Sequence, residues 1–458
     1  MSKDLVRNSH KIPRPGASAS GPSAIRGASA AEIARNIEAA IRDGRLAPGE
    51  KLPVVRALAA RLAVSPTTVS AAYRALRGRG LLAAAGRRGT SVRGRPPLRT
   101  SLAPPLVEGA LDLATGNPDP ALLAPLRRAL ARIDAAPHLY AAEHQLPALR
   151  RIAEREFAAD GVPADHLAVV SGALDGIERV LEAQLRPGDR IAVEDPGFSN
   201  VLDLVAALGL QPVPVALDDR GMLPGALARA LARGAQALIV TPRAQNPTGA
   251  AFDAARAAAL RRTLRAHPHV LVVEDDHAAA VAGPPAYTLW ERGRERWALV
   301  RSTSKTHGPD LRLALLGGDR ETLARVEGRQ RIGFRWVSHL LQRVVAELES
   351  DPDSRRRLRR AAHSYAERRT ALLDALAARG VEAHGRSGLN VWIPVPEEVA
   401  TVQALLALGY AVSAGERFRI ESGPAIRVTI SRLPPAAAPA LADAIASCLR
   451  SRRRSAAA

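Results

Sequence analysis

The N-terminal part of the chain places apolar side chains at the spacing of short helices. Residues 33–41 repeat apolar positions every three or four residues, which predicts an amphipathic helix. A second helix is predicted from about Val54 to Leu62, and a third from Pro66 to Arg77 with Ser65 as its N-cap. Residues 81–92 follow as two short strands around a Gly-Arg-Arg-Gly turn. Three helices and a two-stranded wing predict a winged helix-turn-helix.

From residue 107 onward the pattern changes to short apolar runs separated by Ala-, Leu- and Arg-rich stretches. The runs are Leu167–Val170, Ile191–Val193, Pro212–Val215, Ala237–Val240, Val270–Val273 and Trp297–Arg301. Their alternation with stretches long enough for crossover helices predicts an α/β body with a mostly parallel sheet covered on both faces. Ligands of such sheets bind beyond the carboxyl ends of the strands, so the residues directly after each run are the candidate site.

Composition excludes several classes of protein. With 458 residues, 47% of them hydrophobic, the chain is long enough for a large core and is not largely disordered. It has no run of about 20 apolar residues and no signal segment, which predicts a soluble cytoplasmic protein with no membrane partner. Cys448 is the only cysteine, so an internal disulfide and a cysteine metal cluster are excluded, and we predict no metal site.

The net charge of +20 is unevenly distributed along the chain. Residues 1–23 carry +3, 24–95 carry +10, 96–106 carry +1 and 450–458 carry +4, which leaves only +2 for 107–449. This distribution is typical of a polyanion-binding module fused to a near-neutral body. We therefore divide the chain into a disordered basic arm (1–23), a DNA-binding head (24–92), a proline-rich linker (93–106), the body (107–449) and an unstructured basic tail (450–458).

The head has candidate residues for both base and phosphate contacts. A third helix entering the major groove would place Thr67, Thr68 and Ser70 near bases or phosphates. Arg56 in the second helix, and Arg87 and Arg88 in the wing, would neutralise phosphates. Ser65 and Arg74 complete the predicted DNA-binding set. For any single arginine, an ordinary solvated position is the alternative.

The amino-acid sequence of this segment resembles that of the DNA-binding head of the GntR family of transcriptional regulators. The matching pieces are Asp-Gly-Arg-Leu-Ala-Pro-Gly-Glu-Lys-Leu-Pro, the Arg-x-Leu-Ala that begins at Arg56, the Ser-x-Thr-Thr-Val that begins at Ser65, Tyr73-Arg74-x-Leu76 and Arg79-Gly80-Leu81. The resemblance covers about residues 30–92.

Lysine is rare in this chain, and one lysine follows the last apolar run. Only four of the 65 Lys and Arg side chains are lysines, and Lys305 is the only one in the body. An ε-amine can lose its proton and form an imine with an aldehyde, whereas a guanidinium cannot. A chance lysine on a loop is the alternative, so the surrounding residues decide between the two readings.

The segment from Ser302 through Lys305 to Arg312 resembles the Schiff-base segment of fold-type I pyridoxal phosphate enzymes of the aminotransferase class. The resemblance implies a large domain with a mainly parallel sheet, a smaller α+β C-terminal domain, and pyridoxal 5'-phosphate bound at Lys305. The residues it assigns to the cofactor phosphate are Ser171, Gly172, Ala173, Ser302, Arg312 and Tyr140, the last commonly reaching the phosphate of the partner subunit. The first three also suit a dianion because they lie at a strand-to-helix turn.

The same resemblance assigns the ring and substrate contacts. Phe198 would stack on the pyridine ring, Asn246 would hydrogen-bond its phenolic oxygen, and Asp275 would pair with the ring nitrogen. Arg427 would bind a substrate carboxylate, with Arg419 and Arg432 as nearby alternatives, and Gly116 is also assigned to substrate binding. Taken singly, each motif has an ordinary structural explanation; their number and order favour the cofactor site.

Head and body together resemble the MocR-type branch of the GntR regulators, in which the aminotransferase-like body senses an effector. Three positions depart from the aminotransferase pattern. His277 replaces a tyrosine near the phenolic oxygen, Gln145 replaces a glycine and is expected to reshape the substrate mouth, and Ala314 replaces a glycine. These three departures argue against efficient catalytic turnover more than against cofactor binding.

These observations support one main hypothesis and two alternatives. The main hypothesis is a homodimeric transcriptional regulator that binds promoter DNA and senses an amine, an amino acid or a vitamer of pyridoxal phosphate. The first alternative is a working aminotransferase that carries a DNA-binding head. The second is a regulator whose body has lost the cofactor.

Overall fold

The computed structural model describes residues 25–42, 45–47, 49–78, 81–84, 89–92, 109–140 and 143–455. The chain divides between Pro96 and Pro97 into two compact units. The predicted arm (1–23) and linker (93–106) lie outside the described residues, as do Arg87 and Arg88 of the predicted wing.

The N-terminal unit is the predicted winged helix-turn-helix. It consists of α1 (Ala30–Arg42), α2 (Val55–Leu62), α3 (Pro66–Gly78) and the antiparallel pair β1 (Leu82–Ala84) and β2 (Thr90–Val92). Helix α3 packs against both α1 and α2, and Ile33 and Ile37 of α1 share one buried apolar cluster with Leu58 and Leu76. Ala63, in the left-handed conformation with φ 53°, turns the chain from α2 into α3.

The C-terminal unit is built on an eight-stranded sheet. Its strands are β4 (Leu167–Val170), β5 (Arg190–Asp195), β6 (Gln211–Asp218), β7 (Gly221–Met222), β8 (Ala235–Val240), β9 (Leu271–Asp276), β10 (Trp297–Ser302) and β11 (Ala314–Gly318). They lie in the order β4-β11-β10-β9-β8-β5-β6-β7. The predicted parallel pairing is confirmed for β6-β5-β8-β9-β10, while β11 is antiparallel to both of its neighbours.

Helices cover this sheet and connect its strands. They are α4 (Leu126–Leu130), α5 (Pro147–Ala159), α6 (Ala173–Gln184), α7 (Ser199–Ala207), α8 (Pro224–Ala232), α9 (Ala254–Arg265), α10 (Arg320–Ile332) and α11 (His339–Ser350). Separate apolar clusters lie on the two faces of the sheet, as expected from the all-buried strands β4, β9 and β10. Side chains at the carboxyl ends of these strands therefore border a crevice.

The smaller part of this unit follows the long helix α12 (Pro352–Ala377). It contains β12 (Asn390–Pro394), α13 (Glu398–Ala407), β13 (Tyr410–Ala411), β14 (Ser413–Ala414), β15 (Ala425–Thr429) and α14 (Ala438–Ser455), and β3 (Leu111–Asp112) pairs with β13. Strands β12, β15 and β14 form an antiparallel sheet in that order. This α+β arrangement agrees with the prediction.

The prediction of an unstructured tail is wrong for residues 450–455, because α14 continues to Ser455. Leu441 and Ile445 bury one face of α14 in the core, and the helix continues from there through residues 450–455. Over the described residues, no helix is long and apolar enough to cross a membrane.

Candidate functional site

A cavity of about 240 Å³ lies at the carboxyl ends of the central strands. Ten residues singled out from the sequence line it: Gly116, Ala173, Phe198, Asn246, Asp275, His277, Ser302, Lys305, Arg312 and Arg427. Ser304 and Pro309, which belong to the predicted Schiff-base segment, also line it. Five lining residues were missed by sequence reasoning: Thr115, Leu174, Asn200, Leu389 and Asn390. The structure therefore brings most of the predicted set into one crevice, although these residues span more than three hundred positions of the chain.

Lys305 follows β10 and places its amine in the cavity. Its Nζ donates a hydrogen bond of 2.8 Å to the backbone carbonyl oxygen of Gly116. Burial lowers the pKa of Lys305 to about 8, helped by the positive charge of Arg427 and opposed by the carboxylate of Asp275. A lysine with such a pKa has a far larger neutral fraction near neutral pH than an exposed lysine, and only the neutral amine is a nucleophile.

Asp275 is buried near the end of β9 and borders the same cavity. Its Oδ1 atom has no hydrogen-bond partner within the described part of the chain. Burial raises the pKa of Asp275 to about 7, the charge of Asp276 raises it further, and Lys305 opposes the shift. A buried carboxylate oxygen without a partner is costly, so this atom is available to a cationic donor placed in the cavity.

The neighbouring carboxylate, Asp276, has a different environment. Arg243 donates to both of its oxygens, at 2.9 and 2.8 Å, and Arg301 donates to Oδ2 at 2.9 Å. Although burial opposes the shift, these two guanidinium groups hold the pKa of Asp276 well below its usual range. Asp276 is therefore a fixed negative charge that anchors the end of β9, a role that the sequence pattern did not indicate.

His277 lines the cavity. It occupies the position where aminotransferases usually have a tyrosine. Burial and the nearby charge of Lys305 lower its pKa to about 4. The imidazole is therefore neutral at neutral pH, and it can donate a hydrogen bond from only one of its two ring nitrogens.

The turn between β4 and α6 contains Ser171, Gly172 and Ala173, the residues predicted to bind a phosphate. Gly172 precedes α6 with φ +97°, and a Cβ atom added there would lie 2.9 Å from Nη2 of Arg312. That same Nη2 donates to the carbonyl oxygen of Ser171 at 3.3 Å. The hydroxyls of Ser302 and Ser304 share a hydrogen bond of 2.9 Å. A helix N-terminus, a guanidinium and hydroxyl groups are suited to a phosphate group.

Arg427 reaches the cavity from β15 and is held in place by its neighbours. Its Nη1 donates to Oδ1 of Asn246 at 3.1 Å, and its Nη2 donates to the carbonyl oxygen of Ala114. The guanidinium carbon lies 4.8 Å from the centre of the Phe418 ring. Burial lowers the pKa of Arg427 to about 10, and Arg417 lowers it further. At neutral pH it is a buried cation oriented for an anionic ligand.

Three positions named from the sequence, Tyr140, Gln145 and Ala314, do not line this cavity. The Tyr140 side chain is 75% exposed, with its ring centre 5.7 Å from that of Trp336. Gln145 donates from Nε2 to the carbonyl oxygen of Leu167 at 2.6 Å and to Glu327 at 3.1 Å, so its amide is committed to β4 and α10. Gln145 does not line this chain's own cavity, and its effect on the substrate mouth stays a prediction. Ala314 is buried as the first residue of β11.

The head positions its predicted residues around the start of α3. The Ser65 hydroxyl accepts the Thr68 backbone N–H at 3.1 Å and hydrogen-bonds the hydroxyls of Thr67 and Thr68, so it caps the helix as predicted. Thr67 is exposed, while Thr68 and Ser70 are half-buried. Arg56 and Arg74 are exposed on α2 and α3.

In the ranges that the structure describes, no group of three or more His, Cys, Asp or Glu side chains is arranged to hold a metal ion. The site's chemistry is that of a buried amine, an unpartnered carboxylate and anion-binding groups.

Comparison with known proteins places both units in known families. Residues 108–445 match aminotransferase class I and II, and residues 29–92 match the gntR family of bacterial regulatory proteins. The vitamin B6 salvage pathway transcriptional repressor PtsJ of Salmonella typhimurium is 41% identical over 419 residues, covering 89% of this chain and 96% of PtsJ. The pyridoxine biosynthesis transcriptional regulator PdxR of Corynebacterium glutamicum is 29% identical, covering 75% of this chain and 78% of PdxR.

Among solved structures, the α-aminoadipate aminotransferase LysN of Thermus thermophilus superposes with a TM-score of 0.68 at 23% identity, covering 77% of this chain and 95% of LysN. That likeness shows the fold of the body, and this fold together with the class I and II match implies dependence on pyridoxal phosphate. The match to PtsJ spans both units in the same order. The chain belongs to the MocR-type transcriptional regulators of the GntR family, which join a GntR head to an aminotransferase-like body.

Proposed function

We propose that this regulator binds pyridoxal 5'-phosphate at Lys305 and binds promoter DNA through its head, and that a vitamin B6 vitamer bound in the body controls DNA binding. The observation that carries the proposal is the pairing, in one cavity, of a buried amine on Lys305 with the unpartnered buried oxygen of Asp275. The name of PtsJ favours a vitamer over other amines as the effector.

The residues present fit this cofactor. The Gly172 turn leaves no room for a side chain beside Arg312, which keeps the approach to that guanidinium open to a phosphate at the N-terminus of α6. Asp275 offers its free oxygen to a protonated ring nitrogen, and Phe198 offers an aromatic face. When bound, pyridoxal phosphate supplies an aldehyde for the amine and an electron-withdrawing ring.

Each side chain then has a defined role. Lys305 supplies the neutral amine, Asp275 keeps the ring nitrogen protonated, and His277 and Asn246 provide groups near the phenolic oxygen. Arg427 orients an anionic ligand. The vitamer can act as an effector only if it binds unequally to the two DNA-binding states of the protein.

We also propose a homodimer in which Tyr140 serves the partner's phosphate site. Its exposed ring and its distance from this chain's own cavity support that assignment. The test is the molar mass of the protein in solution, together with cofactor affinity in Tyr140→Phe. A monomer that binds the cofactor normally contradicts this assignment.

The decisive experiment combines cofactor absorbance with DNA binding. Full-length protein, Lys305→Ala and the control Lys51→Ala, which removes an exposed lysine of the head, are titrated with pyridoxal phosphate. We expect the visible band of lysine-bound cofactor in the first and third proteins only, with all three retaining binding to DNA fragments selected by the wild-type protein. The wild-type affinity for those fragments should change when the vitamer is added.

Persistence of the visible band in Lys305→Ala would show that another amine holds the cofactor. Absence of a band in the wild type with excess cofactor would favour the regulator that has lost it. Transamination is the second candidate function, because Lys305, Asp275 and Arg427 line the cavity together. Repeated release of oxo acid from an amino-acid panel would favour the enzyme, whereas no turnover would favour the regulator.

A further inference from the structure

A second strongly charged region of the body is formed by α4 and the start of α12. Three arginines lie in and just after α4 and five lie in the first turns of α12. Five of the eight, Arg128, Arg132, Arg356, Arg357 and Arg360, line a cleft of about 350 Å³. Neither group of arginines was singled out by the sequence motifs. The body as a whole carries only +2 over residues 107–449, so the concentration of arginines here is a local property.

Acidic neighbours offset only part of this charge. The paired arginines are Arg128 and Arg356, which both contact Asp353, and Arg132, which contacts Glu347 and Asp351. The other five, Arg127, Arg355, Arg357, Arg359 and Arg360, have no acidic partner among the residues that the structure describes. We call these eight arginines the α4–α12 surface, which with its three acidic partners carries a formal charge of +5.

This arrangement opposes the stability of α12. Arg355 and Arg359, like Arg356 and Arg360, are four residues apart on one helix, where like charges repel. Positive charges also lie toward the N-terminal end of the helix, where the helix dipole disfavours them. Arg355 donates to the backbone carbonyl oxygen of Ser350 at 3.2 Å, but no ion pair offsets the charge of these five guanidinium groups, which favours an anionic ligand as their partner.

Charge limits what can occupy this surface. The arm, the head, the linker and the tail are all positively charged, so electrostatics disfavours each of them as an intramolecular partner. A second copy of the same surface would be repelled for the same reason. A polyanion from outside the chain meets no such repulsion and is complementary in charge to this surface.

We propose that the α4–α12 surface binds phosphates of the DNA duplex outside the base pairs read by the head. The proposal rests on the DNA binding proposed above, which supplies a polyanion at high local concentration. Arg357 and Arg360 are one turn apart on α12 and both line the cleft, so they can engage neighbouring phosphate oxygens. Such contacts add affinity without reading sequence.

The test is the salt dependence of binding to a random-sequence duplex, measured on the full-length chain by fluorescence anisotropy. Each phosphate contact contributes a slope of about −0.9 to a plot of log affinity against log salt concentration. The double variant Arg357→Gln/Arg360→Gln should therefore show a slope shallower by about 1.8. The matched control Arg229→Gln/Arg262→Gln removes two exposed arginines from α8 and α9 and should keep the wild-type slope.

A third variant separates charge from folding. Arg357→Lys/Arg360→Lys keeps both charges and should restore most of the wild-type slope, and thermal melting of every variant shows whether it is folded. Equal slopes for Arg357→Gln/Arg360→Gln, the control and the wild type would overturn the proposal. In that case, loss of affinity in Arg56→Ala would leave the head's own role intact. A wild-type protein that binds no duplex DNA would instead overturn the proposed function and this inference together.

Discussion

The ε-amine of Lys305 is held by the backbone carbonyl oxygen of Gly116, 2.8 Å from Nζ and 189 positions earlier in the chain. The bond orients the amine into the crevice beyond β10. A neutral carbonyl does not supply the countercharge that a carboxylate in direct contact would provide. Burial and the charge of Arg427 therefore outweigh the attraction of Asp275, and the pKa of Lys305 falls to about 8.

We expect the capture of pyridoxal phosphate by the cofactor-free protein to accelerate as pH rises, with a midpoint of about 8. Only the neutral amine attacks an aldehyde, and its fraction increases as pH passes the lysine pKa. An ordinary lysine, with a pKa of about 10.4, would place the midpoint much higher. Stopped-flow absorbance over a series of pH values measures this rate.

The variant Arg427→Gln provides the comparison. It removes a positive charge that lowers the pKa of Lys305, so the midpoint should move to higher pH. A wild-type midpoint near that of free lysine would contradict the environment assigned to this amine.

Asp275→Asn should have opposite effects on cofactor binding and on folding. The cofactor should bind about 10- to 100-fold more weakly, because a hydrogen bond to a charged group contributes about 1.5–3 kcal/mol. The cofactor-free variant should resist urea better than the wild type above pH 7, because it no longer buries an unpartnered carboxylate. Absorbance titration and urea midpoints measure the two effects.

The raised pKa of Asp275 determines how the stability of the wild type changes with pH. The folded-state pKa of Asp275, about 7, lies above the ordinary value, so the protonated carboxyl favours folding at low pH. That contribution is lost as pH rises from the ordinary aspartate pKa to about 7. The stability gap between variant and wild type should therefore close in acid. A variant that unfolds more easily at every pH would contradict this account.

Most residues of the cavity could be predicted from the sequence, because their side chains lie directly after strands that the apolar runs predict. Asp275 and Lys305 lie at or just beyond the ends of apolar runs, and the sheet brings those ends together. Asn390 could not be found in this way. It enters the cavity from β12, whose position depends on packing between the two parts of the body, and its side chain bonds Thr429 at 2.9 Å.

Pairings between distant charges were equally invisible in the sequence. Asp276 contacts Arg243 and Arg301, but nothing in the spacing of these residues distinguishes them from other acidic and basic positions in an arginine-rich chain. Strand β11 was missed because its apolar run, residues 313–316, is short and ends in two glycines. Its antiparallel position between β4 and β10 is a property of the assembled sheet.

Removing the Asp276 carboxylate should destabilise the fold strongly. Asp276→Asn takes from Arg243 the one acidic partner that it has among the described residues, while Arg301 keeps Asp160. Breaking a buried ion pair in this way costs about 3–5 kcal/mol. Urea unfolding at neutral pH measures the loss. The control is Glu154→Gln, which breaks an exposed pair with Arg150 on α5 and should cost no more than about 0.5 kcal/mol.

The loss of stability caused by Asp276→Asn should be smaller in acid than at neutral pH. The pKa of Asp276 is lowered in the folded state, so its contribution is complete above the ordinary aspartate pKa and is lost as pH falls below it. The difference in stability between Asp276→Asn and the wild type should shrink in acid. A loss as small as that of Glu154→Gln would show that Arg243 and Arg301 find other partners.

Substitutions in the head should separate affinity from sequence preference. Arg56 and Thr67 are both exposed, so neither change should disturb the core beneath them. Arg56→Ala should weaken binding to all sequences and make the salt slope shallower by about 0.9, the value for one phosphate contact. Thr67→Ala should leave that slope unchanged and alter which fragments the protein retains, because the first turn of α3 faces base edges in this motif. Sequencing the retained DNA and measuring anisotropy against salt distinguish the two effects. If both variants keep the wild-type slope and the wild-type fragments, α3 is not the helix that reads DNA.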